Sequence, residues 1–419
     1  MMLQEEWSFW ALPERRLTRL RSYPLTPALS PSEGEREIRG PGKRELRASF
    51  SPFEGARAGV RGRQRCPVAP VVHIALFFLV ACGSGEVSNI KNNQEIVFFP
   101  TIGHRAADGK GWELEVHGCV YEEEKRWLAL GLLRKGLQLE HVNMTAAENA
   151  IFTTRTRLFM VDHERGKKII VNAGGHVFKS SKSRPDGQFW CNVRLSDKEL
   201  QDLPGATLQV RAVLRNGDQR VFTGDVSLFG KAGVTVISDI DDTIKITQVR
   251  DRRAALRNTF LEPFAPVPGM AKVYSGWQQR GAQFCYVSAS PWQIFLPLTE
   301  FVRSNGFPPG AFYLKDFRWK DESFFNLFES PEKYKPKIIE PLLERFPNRQ
   351  FVLVGDSGER DPEIYGALAR KFPSQIARIF IREVTGQSEP ERYQNAFRDL
   401  PPGLWKIFRD PAEIADAFP

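Results

Sequence analysis

Two patterns of apolar residues divide the chain. Between residues 94 and 228, apolar and polar positions alternate in short runs at 96–99, 112–120, 157–161, 168–171, 189–194, 207–214 and 219–227. Alternation with β-branched residues marks half-buried strands. Turn chemistry separates them at Ala107-Asp-Gly109, Arg184-Pro-Asp-Gly187 and Arg215-Asn-Gly-Asp218. Residues 125–139 and 143–152 read as helices, so this part predicts a β-sandwich-like module with a helical excursion. From residue 232 the pattern changes. Continuous apolar runs at 234–237, 283–288, 311–314, 351–354 and 376–381 alternate with helical stretches at 252–259, 270–279, 293–305, 335–346 and 361–372. Strands buried on both faces and joined by helices predict a Rossmann-like α/β fold with a parallel sheet.

Polar residues collect where these buried runs stop. The first run ends in Asp239, Asp241, Asp242 and Thr243, the second in Ser288-Ala-Ser290-Pro-Trp292, and the fourth in Gly355-Asp356-Ser357-Gly358. Three carboxylates within four residues are expensive to bury unpaired, and a divalent cation removes that cost. Ligands of open α/β sheets also sit just beyond the carboxyl ends of strands. The pattern therefore predicts a metal and phosphate site. An acidic, solvent-exposed turn is the plain alternative.

Asp239-Ile-Asp241-Asp-Thr243, Ser288, Lys335 and Gly355-Asp356-Ser-Gly-Glu-Arg-Asp361 follow, in order, the four motifs of the haloacid dehalogenase superfamily of phosphotransferases. Ser238-Asp-Ile-Asp-Asp-Thr-Ile-Lys245, Tyr286-Val-Ser-Ala-Ser-Pro-Trp-Gln293 and Val354-Gly-Asp-Ser-Gly-Glu-Arg-Asp-Pro-Glu-Ile-Tyr365 resemble the catalytic domain of the actin-patch type phosphatidate phosphatases and their bacterial relatives. The resemblance spans about residues 92–419 and is strongest from 232 to 385. It implies the haloacid dehalogenase fold with a minimal cap and an Mg²⁺-dependent phosphatase working through an aspartyl-phosphate. Asp239 would be the nucleophile and Asp241 the general acid and base, with a raised pKa. Ser288, Thr243 and Lys335 would hold the phosphoryl oxygens. Asp239, the backbone carbonyl of Asp241, and Asp356 would hold Mg²⁺, with Asp361 orienting a metal-bound water. Ser290 competes with Ser288 and Lys337 with Lys335. Asp242 is left to cap a turn, and Arg382 either reaches phosphate or pairs at the surface.

Charge and leader residues refine the picture. The net charge is +9, but residues 1–66 carry 13 Lys and Arg against 8 Asp and Glu, so over half of the excess lies there. A nucleic-acid surface is not expected. Residues 1–66 mix Arg, Glu, Pro, Gly and Ser without periodicity and read as a disordered or mis-started leader. Residues 67–82 read as a signal peptide ending in Leu79-Val80-Ala81-Cys82-Gly83, which resembles a bacterial lipobox with Cys82 as the lipidated residue. Residues 83–93 are a linker, 94–230 the β module and 231–419 the phosphatase domain. This organisation predicts a membrane-anchored lipoprotein facing the periplasm or outer membrane. Cys119 and Cys191 are candidates for pairing, and Cys285 reads as a small buried residue. His104, His117 and His141 have no recognisable ligand spacing.

The substrate reading follows from what surrounds the motifs. Residues 243–283 leave room for a small helical cap only, so the mouth is open to a bulky head group. The aromatic run Phe312-Tyr-Leu-Lys-Asp-Phe-Arg-Trp-Lys-Asp-Glu-Ser-Phe-Phe-Asn-Leu-Phe328 suits an interfacial loop or packing beneath the sheet. Phosphatidate is the substrate that the resemblance implies. The alternatives are the same chemistry on a soluble or protein-bound phosphate, or an anchored binding protein whose catalytic half is vestigial.

Overall fold

The computed structural model describes residues 85–123, 127–137, 139, 141–200, 207–315, 331–386 and 390–419. The leader, the signal segment with Cys82, and residues 316–328 of the aromatic run lie outside the described residues. Phe312 at the start of that run packs in the core.

The β region forms one hydrogen-bonded sheet of nine strands. Its spine is Trp112–Glu122, which pairs with Gln94–Phe99 and Thr101–Arg105 along one edge and with Gln188–Leu195 along the other. The sheet continues through Thr223–Phe229, Thr207–Ala212, Lys168–Ala173 and His176–Lys182. It curls until His176–Lys182 returns beside Gln188–Leu195, where Trp190 N donates to Ser181 Oγ. Ile96, Phe98, Val116, Phe189, Val193 and Leu208 fill the inside of the roll. Gly187 takes φ +75° in the turn expected from Arg184-Pro-Asp-Gly187, a conformation open to glycine without strain. The expected strand at 157–161 is instead a 3₁₀ turn, Arg157–Phe159. Leu158 and Phe159 are both buried there, which an alternating strand does not allow. Cys119, Cys191 and Cys285 are buried thiols and form no disulfide.

His117 lies flat on Trp190, ring centroids 4.5 Å apart, and bonds to Gln188 Oε1 at 3.0 Å. Burial pushes the imidazole down to about 4. The folded state therefore binds fewer protons than the unfolded chain below pH 6.5, and stability falls as pH drops from about 6.5 to 4. Because the ring is only partly buried, the effect is about 1–2 kcal/mol. Urea unfolding of wild type and His117→Gln at pH 7 and pH 4.5 should show this loss in wild type and a flatter dependence in the variant.

The second half carries six parallel strands: β1 (Val234–Ser238), β2 (Gln283–Pro291), β3 (Gly310–Lys315), β4 (Gln350–Asp356), β5 (Ile376–Arg382) and β6 (Trp405–Phe408). Their order is β3-β2-β1-β4-β5-β6, so direction reverses between β1 and β4. That is the switch point of a doubly wound sheet, where strand ends open a crevice. The sheet matches the expected parallel, Rossmann-like arrangement, with β6 as a four-residue strand too short to be seen in the sequence. Helices α1 (Arg252–Phe260), α2 (Met270–Gln279), α3 (Phe295–Ser304), α4 (Pro331–Arg345) and α5 (Asp361–Lys371) connect the strands.

The expected small cap is a flap between β1 and α2. Lys245–Ile246 pairs antiparallel with Ala265–Pro266, and α1 lies between them. The β region grips this flap. Arg155, on the helix Ala146–Thr156, is 6% exposed; it donates to Asn258 O and Thr259 O at the end of α1 and sits 3.6 Å from the Phe264 ring centroid. Phe99 meets Phe295 edge-on at 5.0 Å and Trp292 at 5.8 Å. One apolar core therefore includes Val97, Phe99 and Cys119 together with Phe260, Phe295 and Phe312. Among the described residues, no helix is long and apolar enough to cross a membrane.

Candidate active site

The ends of β1, β2 and β4 and the first turns of α4 and α5 bring the motif residues together. Asp239 follows β1 directly and is 1% exposed. Its Oδ2 accepts from Thr243 Oγ1 at 3.1 Å, and Lys335 Nζ lies 3.0 Å from its Oδ1. Lys335 is fully buried and also reaches Glu359 Oε2 at 3.1 Å and Asp361 Oδ1 at 2.5 Å. Lys337 is exposed, so of the two lysines it is Lys335 that enters the site.

Carboxylate oxygens of Asp239, Asp356 and Glu359 lie within 4.8 Å of one another. Asp356 ends β4 and is fully buried; its Oδ1 accepts from Gly358 N at 2.6 Å and Glu359 N at 3.2 Å. Its Oδ2 is buried with no hydrogen-bond partner. Asp361, expected to orient a metal-bound water, stands beside the cluster. Its Oδ1 is on Lys335 and its Oδ2 accepts from Asp356 N at 3.2 Å, so it positions the lysine and the strand end, while Glu359 joins the cluster. Gly355 permits this approach, because a Cβ there would lie 2.1 Å from Asp361 Oδ2.

Electrostatics single out the same point. Burial pushes Asp239 well above the usual carboxylate range, against the pull of Lys335, and Asp361 and Glu359 push it further. Burial and then Asp361, Glu359 and Asp239 raise Asp356 likewise. Burial raises Glu359 as well. Burial alone would lower Lys335, but Asp239, Asp361 and Glu359 reverse that and keep the ammonium charged. Four carboxylates thus share one cationic side chain. The orphaned Asp356 oxygen and the hard oxygen donor set fit a divalent cation such as Mg²⁺.

Asp241 departs from the sequence expectation. Burial would raise its pKa, but Lys245, Thr247 and Ser290 together hold it down to about 2. Lys245 Nζ is 2.7 Å from Oδ1, and Thr247 Oγ1 donates to the same oxygen at 2.7 Å. Ser288 and Ser290 donate to Oδ2 at 2.9 and 2.8 Å. Residues two apart on a strand share one face, so both hydroxyls of β2 reach one oxygen. The choice between the serines is therefore not a choice of position. Asp242 plays the turn role expected of it: at φ +55° it accepts the backbone N–H groups of Thr247, Gln248 and Val249. Arg382 donates to Asp242 O at 2.6 Å and makes no surface ion pair among the described residues.

Glu359, Lys245 and Thr247 are the site residues that sequence reasoning passed over. The first lies inside a quoted motif and the second at the end of one. A folded pKa of about 2 for Asp241, against about 3.9 unfolded, stabilises the protein above pH 4, and this is lost as pH falls through 2. Lys245→Met should remove about 2–3 kcal/mol at pH 7 and flatten the acid dependence. Chemical denaturation between pH 2.5 and 7 checks it; equal curves for both proteins would reject the pairing.

Residues 234–383 match the family model described as phosphatidate phosphatase APP1, catalytic domain. Over this segment the chain is similar to that catalytic domain. Phosphatidate phosphatase APP1 of Saccharomyces cerevisiae is 40% identical over 154 residues, covering 36% of this chain and 26% of the yeast protein. An uncharacterized protein of Schizosaccharomyces pombe is 31% identical over 169 residues, covering 39% of this chain and 27% of that protein. The chain thus spans about a quarter of the length of these curated relatives. Among solved structures, an apo phosphoserine phosphatase is similar at 13% identity and TM-score 0.29, over 44% of this chain and 98% of that one. A D,D-heptose 1,7-bisphosphate phosphatase from B. bronchiseptica complexed with magnesium and phosphate is similar at 15% and 0.28, over 44% and 97%.

Proposed function

We propose that this chain is an Mg²⁺-dependent phosphatase that hydrolyses phosphate monoesters through an aspartyl-phosphate, with a lipid phosphate of the phosphatidate type as substrate. The convergence of Asp239, Asp356, Glu359 and Lys335 at the switch point carries the reading, and the likeness of residues 234–383 to a phosphatidate phosphatase catalytic domain supports the substrate class.

The chain's own groups account for each step. An Asp239 oxygen attacks phosphorus as the ester oxygen departs in line, and Asp241 gives that oxygen its proton. Asp241 then takes a proton from water, which attacks the aspartyl-phosphate, releasing phosphate and restoring Asp239. For the first step Asp241 must leave Lys245 and gain a proton. The same rotation frees Ser288 and Ser290 to meet the phosphoryl oxygens. Lys335 neutralises charge developing on those oxygens. Asp239, Asp356 and Glu359, with the carbonyl of Asp241, would hold Mg²⁺, whose charge stabilises the transferring group.

Phosphate release from phosphatidate vesicles, set against release from p-nitrophenyl phosphate, tests the reading. Preference for vesicles in Mg²⁺, lost in EDTA, is expected. Faster turnover of the soluble ester would move the substrate to soluble phosphates, and no release from either would leave a binding protein. Anchoring at Cys82 is part of the proposal: Cys82→Ser should shift the protein from the membrane to the soluble fraction.

A further inference from the structure

Beside the catalytic cluster lies a second concave site, a pocket of about 640 Å³ whose wall includes Arg250, Arg382 and Arg409 with Asp242, Asp251 and Glu383. The charges cancel by count, but the two signs are unequally engaged. Asp242 is held by three backbone N–H groups. Asp251 caps α1, accepting from Arg253 N and Ala254 N. Glu383 accepts from Ser357, Thr385 and Tyr393. The arginines have no such closure. Among the described residues, no carboxylate forms an ion pair with any of the three. Arg382 gives one N–H to Asp242 O, and its Nε is buried without a hydrogen-bond partner.

Three separate segments deliver these guanidinium groups. Arg382 ends β5 opposite Asp356, Arg250 precedes α1 in the flap, and Arg409 follows β6. Guanidinium forks match the oxygens of phosphate, and three of them without a carboxylate partner leave N–H groups for such an anion. We propose that this pocket binds a phosphate-class oxyanion other than the one attacked by Asp239: the diester headgroup of an anionic lipid, or free phosphate. The proposal stands on the arginines alone and holds whether or not Asp239 performs hydrolysis. Arg382 contacts the carbonyl of Asp242, so an anion here sits one hydrogen bond from the loop that carries Asp239.

The test uses the full chain, produced unlipidated, and compares wild type with Arg250→Ala/Arg409→Ala. A charge-matched control, Arg165→Ala/Arg211→Ala, changes two exposed arginines of the β region. Co-sedimentation with phosphatidylcholine vesicles, with and without phosphatidylglycerol, reads the headgroup arm, since phosphatidylglycerol offers no monoester to Asp239. The rise of melting temperature with inorganic phosphate in EDTA reads the free-anion arm. Binding is expected to fall about 30-fold in the pocket variant and far less in the control. Loss confined to vesicles assigns the lipid headgroup, and loss confined to phosphate assigns the free anion. Equal loss in both double variants, or no loss in either arm, overturns the proposal.

Discussion

Asp239→Asn is expected to lower phosphate release by about 10,000-fold or more while leaving the fold intact. Asparagine keeps the volume of the side chain and still accepts from Thr243, whose Oγ1 is 3.1 Å from Asp239 Oδ2. What it lacks is a carboxylate able to form and break an acyl-phosphate bond. Acid quenching during turnover of radiolabelled phosphate ester should leave label on wild-type protein and none on the variant. Stability should hold or rise, because burial already presses Asp239 towards its neutral form and the substitution removes that pressure. Activity within tenfold of wild type would sink the nucleophile assignment. A collapse in melting temperature would instead mark the carboxylate as structural.

Lys335→Met should have the largest effect on stability. The ammonium is fully buried and touches Asp239, Glu359 and Asp361. Methionine keeps an aliphatic side chain of similar length but leaves the carboxylates without their cationic neighbour. Breaking such a buried arrangement costs about 3–5 kcal/mol. Catalysis should fall too, since phosphoryl oxygens lose their charge partner. Added Mg²⁺ discriminates further: it should stabilise the variant more than wild type, because a cation in the Asp239–Asp356–Glu359 cluster would then carry more of the neutralisation. Denaturant midpoints with Mg²⁺ or EDTA provide the comparison, and unchanged midpoints would refute the role given to the lysine.

The catalytic sheet was readable from sequence because its strands are buried on both faces and end abruptly in polar residues. Val234–Ser238 and Gln350–Asp356 are runs of this kind, and Asp239 and Asp356, which follow or end them, meet in the carboxylate cluster beside Lys335. Strand ends fix direction, so Asp239, Asp356 and Ser288 could be placed without coordinates. Glu359 could not, because its side chain is aimed by a turn whose path depends on Asp356 accepting from Gly358 and Glu359. Lys245 and Thr247 were hidden for a related reason. Their approach to Asp241 depends on the positive-φ bend at Asp242, and nothing in a linear pattern reports that bend. In the β region, Thr101–Arg105 and His176–Lys182 escaped notice because they carry too little apolar alternation. The curl of the sheet was equally invisible, since periodicity identifies strands and not the angle at which they meet.

The grip of the β region on the flap has a mechanical consequence. Phe99 rests on Phe295 and Trp292, and Arg155 holds the last carbonyls of α1, so neither half has a finished surface of its own. Calorimetry should accordingly record one endotherm for both halves. A protease nick near residue 231 would leave them clasped as a nicked species, with no release of a free hydrolase lobe.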